Sequence, residues 1–235
     1  MLLPVATYET PGANGSIWVT HFSLLNNAGR VISSPADIRD LRGCLFPICE
    51  PVHFQDGGVV EPEFFRTPRG GAPGALIWVR DEIASKVAFS LRVQDISRQA
   101  LTWGTEIPVV REKDFYRTKI YLHDVPLDSR FRQSLRVYDP LPHTGCRSVR
   151  IRFIDQESGA VLLDENVGLM NPDCNQTPGS NWPSSMEWHG LAERAGKNSG
   201  RMIVEITPLD SDMAIWAFIT VNNNETQHVT TITPQ

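Results

Sequence analysis

The segment NWPSSMEWHG, residues 181–190, gathers Trp182, Trp188 and His189 in an otherwise polar stretch. An exposed indole offers an apolar face with a polar N–H, a combination suited to stacking and hydrogen bonding with a glycan. The rival reading is that these rings fold back to cover a sheet end or to pin the loop around Cys174. The remaining tryptophans, Trp18, Trp78, Trp103 and Trp216, sit in strand-like sequence and are expected in the core or in packing between domains.

Other chemistry is thinly supported. The chain has six histidines, and none forms H-x-H, H-E-x-x-H or another metal-ligand spacing. His21 and His123 fall on the polar faces of expected strands. No nucleophile elbow, P-loop or dinucleotide fingerprint is present, and PRGGAPG reads as a turn without a following Lys-Ser/Thr. A hydrolase with paired carboxylates would need a separation that no sequence spacing establishes, so it stands as a third reading. Asp95, Asp210, Asp212, Asn222, Asn223, Asn224 and Glu225 lie in turn-like sequence, where oxygen ligands can take Ca²⁺. The alternative is that they shape turns. No cofactor is expected otherwise.

Four cysteines, Cys44, Cys49, Cys146 and Cys174, form two separated pairs. Disulfides Cys44–Cys49 and Cys146–Cys174 are the favoured pairing of the three that are open. Loop entropy would give them about 2 and 3.5 kcal/mol. A four-thiolate zinc site usually needs two tight C-x₂₋₄-C knuckles, and only one is present; free thiols are the other alternative. Disulfides point to an oxidising compartment, secreted or periplasmic. The opening MLLPVATYET has neither a charged n-region nor a long h-region, which alone would suggest a cytoplasmic protein.

Composition is that of a globular protein: 41% hydrophobic, 21% charged, net charge −5. The mildly acidic balance, without a basic block, argues against nucleic acid as a partner. No apolar run approaches the ~18 residues that would insert in a membrane as a helix.

Strand patterns dominate the elements that must position these groups. VAFSLRVQ sets Val87, Phe89, Leu91 and Val93 against Ala88, Ser90, Arg92 and Gln94; SVRIRFID sets Val149, Ile151 and Phe153 against Arg150 and Arg152. TKIYLHD and MIVEI alternate similarly, while AIWAFITVN is apolar on both faces as far as Thr220. Period-two alternation marks half-buried antiparallel strands. Two short helices are expected in loops. One is SPADIRDLRG, with Ser34 as N-cap and Gly43 as stop; the other is SSMEWHGLAERAG, with a Ser184–Glu187 capping box.

The two halves resemble each other. WVTHFSLLN (residues 18–26) aligns on YRTKIYLHD (116–124), and the segment from Gly74 parallels that from Gly200. An apolar-Pro element recurs in LLPVA, EIPVV and TITPQ. This predicts an all-β protein of two tandem antiparallel β-sandwich, Ig-like domains, 1–110 and 111–235, related by internal duplication. LLPVA, PGANGSIWVTHFSLLNN, YRTKIYLHD and IWAFITVNNNETQHVTTITP resemble bacterial secreted tandem β-sandwich repeats of unassigned function, found in large extracellular or surface proteins. That resemblance implies an extracellular interaction or structural module and carries no catalytic residues.

The expected function is therefore a non-enzymatic extracellular structural or adhesive protein. Its partners would be other copies of itself, in an oligomer or filament, other surface proteins, or a glycan. A carbohydrate-binding module is the alternative. The cysteine reading has a direct test. Intact-mass analysis should show no alkylation of the unreduced protein and alkylation of all four cysteines after reduction; alkylation without reductant would remove the bridges.

Overall fold

The structure, a computed structural model, describes residues 1–5, 7, 9–34, 36–40, 52–60, 74–97, 103–141, 147–169 and 184–235. The four cysteines and Trp182 lie outside the described residues. The chain is all-β and antiparallel, and it divides into two compact units, Met1–Glu112 and Lys113–Gln235.

The first unit contains β1 (Leu2–Leu3), β2 (Thr10–Pro11), β3 (Ile17–Asn26), β4 (Ile32–Ser34), β5 (Ile38–Asp40), β6 (Val52–Phe54), β7 (Val59–Val60), β8 (Ala75–Val79), the short helix α1 (Asp81–Ala84), β9 (Val87–Asp95) and β10 (Thr105–Ile107). One sheet has the order β1-β8-β5 and a second β10-β9-β3-β2, with β7 also on β3; β4 pairs with β6. Phe22, Leu24 and Leu91 occupy one face of the β3–β9 pair and are buried, while His21, Arg92 and Ser90 take the other. Buried Asn26 ties down the loop after β3: its amide donates to the carbonyls of Arg30 (2.9 Å) and Phe54 (2.8 Å), and its oxygen accepts from the Ala28 N–H. Strand β1 is held on both sides. Leu2 pairs with Leu76 of β8, and it exchanges hydrogen bonds of 2.8 and 3.0 Å with Val110.

The second unit contains β11 (Ile120–Pro126), β12 (Phe131–Asp139), β13 (Arg147–Asp155), β14 (Val161–Leu169), β15 (Ser184–His189), the short helix α2 (Leu191–Arg194), β16 (Arg201–Pro208), β17 (Trp216–Asn223) and β18 (Val229–Ile232). Two four-stranded sheets, β11-β16-β13-β14 and β15-β12-β17-β18, enclose one core. From the first come Leu122, Ile151, Phe153, Val204 and Ile206, from the second Leu135, Val137, Met186, Ala217 and Ile219. Alternation puts these residues inward in cross-strand register, Ile151 beside Ile206 and Leu135 beside Ile219. A bulge interrupts β11 between Leu122 and Val125. There Asp124 adopts φ +59, and its carboxylate is fixed by Gln156 at 2.9 Å and Arg201 at 3.0 Å.

The strand orders of the two units correspond: β1-β8-β5 with β11-β16-β13, and β10-β9-β3-β7 with β18-β17-β12-β15. The match from Gly74 and Gly200 agrees with this, since it superposes β8 on β16 and β9 on β17. The expected match of residues 18–26 with 116–124 does not. β3 is hydrogen-bonded to β9, whereas β11 is hydrogen-bonded to β16; the strand whose place in the sheet order matches that of β3 is β12, residues 131–139. Both β3 and β11 carry the same period-two pattern, and that pattern does not specify which sheet a strand joins.

The expected helices are also displaced. Ser34 ends β4 and Ile38 begins β5, paired with Val79. Asp37 accepts the Ser33 N–H at 2.9 Å and pairs with Arg30 in a tight turn. Ser184 to His189 is strand β15 rather than a capped helix, because six residues pair with β12 and bury Met186. The helical turn is confined to Leu191–Arg194, after Gly190 at φ +63. Helix α1 arises where no helix was expected, with Asp81 and Glu82 at its positive end.

Of the tryptophans expected in packing, Trp216 is buried and Trp18 and Trp78 are half-buried, whereas Trp103 is 86% exposed. Truncation therefore separates them. Leu135→Ala, at a fully buried core position, should cost about 2–5 kcal/mol, and Trp103→Ala should stay within about 0.5 kcal/mol, both read from chemical denaturation midpoints.

Candidate functional site

Period-two geometry decides what each side of β15 and β12 presents. Trp188 pairs with Leu135 and points to the core side, where its ring meets Phe153 edge-on at 6.1 Å between centroids. The Arg194 guanidinium lies over the same ring, 4.4 Å from its centroid, a cation–π contact. His189 pairs with Ser134 on the opposite face. The structure therefore does not bring Trp188 and His189 together: one completes a core, and the other is 70% exposed at its side chain.

On that outer face the register lines up His189, Ser134, Thr220 and Thr231 across β15, β12, β17 and β18. Ser134 Oγ lies 2.8 Å from His189 Nδ1, and His189 Nε2 lies 3.7 Å from Glu187 Oε1. Serine, histidine and glutamate in a chain evoke nucleophilic catalysis, but two features oppose it. Glu187 is held by Arg136 at 2.5 Å rather than aligned on the imidazole. Ser134 lies inside a ladder, paired on both sides, so its backbone N–H and those of its strand neighbours are committed to the sheet and form no oxyanion hole. Sequence reasoning missed Ser134 because its link to His189 spans 55 residues. A polar residue on the outer face of an alternating strand looks like any other solvated position.

Beside this row sit Arg132 and Asn222, a cross-strand pair, and Arg136 opposite Phe218. Arg132 Nη2 donates to Gln227 Oε1 at 2.8 Å. Three atoms of this face are withdrawn from solvent without a hydrogen-bond partner: Arg132 Nη1, Arg136 Nε and Asn222 Oδ1. An orphaned buried polar group costs about 1–3 kcal/mol. Towards the Asp139 end of β12 the same face turns apolar. Tyr138, Trp216 and Phe218 stack with centroids 5.4–6.4 Å apart and are buried, which explains why β17 is apolar on both faces. Burial pushes the Tyr138 phenol far above its usual pKa.

The outer face of the other sheet is different, since its charges neutralise one another. Glu205 accepts from Arg152 at 3.3 Å and Lys119 at 3.5 Å, while Arg150 makes a bidentate pair with Asp164 at 2.7 Å. Burial alone would raise the Glu205 pKa; hydrogen bonds from Arg152 and Tyr121 and the neighbouring cations outweigh it and leave the pKa lowered.

Several of the turn residues considered for calcium have protein partners. Asp95 accepts the N–H groups of Ile17 and Ser97, Asp212 pairs with Arg147 at 2.6 Å, and Asn223 accepts from Glu225 and Thr226. The side-chain amide of Asn224 donates to the Ser129 carbonyl. Among the described residues no three His, Cys, Asp or Glu side chains converge as metal ligands would.

No protein-family model, curated protein or solved structure matches the chain.

Asp155 locks the β13–β14 hairpin to the segment after α2. Its carboxylate accepts from Lys197 and from the Ser158 hydroxyl and N–H. The Lys197 bond, followed by those from Ser158, holds its pKa far below the usual carboxylate range. A carboxylate depressed in the folded state stabilises above its unfolded value of about 3.9 and loses that contribution as pH falls towards the folded value. Asp155→Asn should lower the denaturation midpoint at pH 7 and flatten its decline below about pH 4, measured by denaturant titration across pH.

Proposed function

We propose that the chain is a non-enzymatic structural or adhesive protein of two Ig-like β-sandwich units related by internal duplication, working outside the cell. The correspondence of strand order between the two units carries this reading. One unit used twice in tandem is a means of building length and repeated surface, and it leaves outer faces and loops free to differ. The resemblance to secreted tandem repeats and the four cysteines favour an extracellular setting.

The engagement of the carboxylates supports a framework role. Asp37, Asp155 and Glu205 are each bound by cations or turn donors that keep them ionised, the reverse of a carboxyl tuned for acid–base work near neutral pH. Partners are other surface proteins, a glycan, or further copies of the chain. Association between copies would use surfaces rather than exchange of the first strand, because β1 is already paired on both edges.

Catalysis is tested on the one arrangement that resembles a nucleophile and base. Panels of fluorogenic esters, glycosides and peptides should show no turnover above buffer; turnover abolished by Ser134→Ala would overturn the non-enzymatic reading.

A further inference from the structure

We infer that the outer face of the β15-β12-β17-β18 sheet binds an acidic saccharide through Arg132, Arg136 and Asn222, with Ser134 and Thr220 between them. This rests on the adhesive reading above and gives it a ligand.

The argument is one of unmatched donors and acceptors. Each guanidinium is anchored at one nitrogen and unspent at another. Arg132 is fixed by Gln227 at 2.8 Å and Arg136 by Glu187 at 2.5 Å, leaving Arg132 Nη1 and Arg136 Nε without acceptors. Asn222, directly across the ladder from Arg132, has its Oδ1 without a donor. The Ser134–Thr220 pair separates the two arginines and brings two hydroxyls to the same strip. These residues are half-buried and their unspent atoms are withdrawn from solvent, so a ligand reaches those atoms only as the side chains turn outward.

The chemistry of the occupant follows. Arg132 forms no ion pair among the described residues, so its charge calls for an anion. An ionised carboxylate or phosphate alone would satisfy the arginines and leave the Asn222 acceptor empty. A neutral sugar would serve Asn222 and leave the cation unmatched. A carboxylic acid that also carries hydroxyl donors, such as a uronic acid unit, satisfies both. Neighbouring strands lie about 4.8 Å apart and alternate residues of one strand about 6.7 Å, so Arg132, Ser134 and their partners on β17 match about one sugar unit and Arg136 the next along the strand. Planar, anchored arginines suit a carboxylate because little freedom is lost on binding.

Calorimetric titration of the full chain with an oligogalacturonate and with its fully methyl-esterified counterpart tests the site. The acidic oligomer is expected to bind, more weakly as salt rises, and the ester at least tenfold less tightly. Arg132→Gln and Asn222→Leu should each weaken binding tenfold or more while retaining the wild-type circular dichroism spectrum. Should either variant unfold, NMR titration of the wild type decides, with the Asn222 side-chain amide and the Thr220 resonance shifting first. Absence of binding by the acid, equal binding of the ester, undiminished binding by folded variants, or shifts confined to other strands would each overturn the inference. The substrate panels on the same samples report separately on the non-enzymatic reading, so failure of the ligand leaves that reading judged on its own test.

Discussion

The register between β12 and β17 is the constraint on which the second unit depends. Pairing Leu135 with Ile219 and Val137 with Ala217 places a continuous apolar layer on one side. The same pairing places Ser134 with Thr220 and Arg132 with Asn222 on the other. Because side chains alternate strictly, a slip of one residue would send the arginines into the core and the aliphatics to solvent. Core and polar strip are thus two sides of one set of hydrogen bonds.

Charge is handled by two different devices. At loop roots, ionised groups are fully answered: Asp155 by Lys197 and Ser158, Asp139 by Arg147 at 2.7 Å, and Asp37 by Arg30 and the Ser33 N–H. Removing one partner of such a pair strands the other, so these contacts define the turns more than they add net stability. On the outer face of β12 and β17 the accounting is left open, with polar atoms anchored but unanswered. That contrast within one unit separates a closed framework from a face whose polar atoms are unspent.

Much of the architecture is legible in residue order. Alternation in residues 87–94 and 148–155 identifies β9 and β13 and the faces that Leu91, Ile151 and Phe153 bury. The doubly apolar run ending at Thr220 is β17, and the aromatic stack on its outer side accounts for the second apolar face. The Ser184–Glu187 capping signal failed because a six-residue ladder with β12 outweighs a local cap. Segments 18–26 and 116–124 look alike yet fall in differently placed strands, because β3 and β11 share a period and differ in their sheet neighbours.

Sequence by itself determined the class of structure, the strand periods, and the division of apolar from polar faces, because these follow from local spacing. Only the tertiary structure decided which strands neighbour one another, and therefore which side chains meet. Trp188 and His189, adjacent in the chain, end on opposite sides of a sheet, while Ser134 and His189 come within 2.8 Å across 55 residues. The physical reason is that hydrogen-bonded register joins residues remote in sequence, and no local pattern encodes a partner's position.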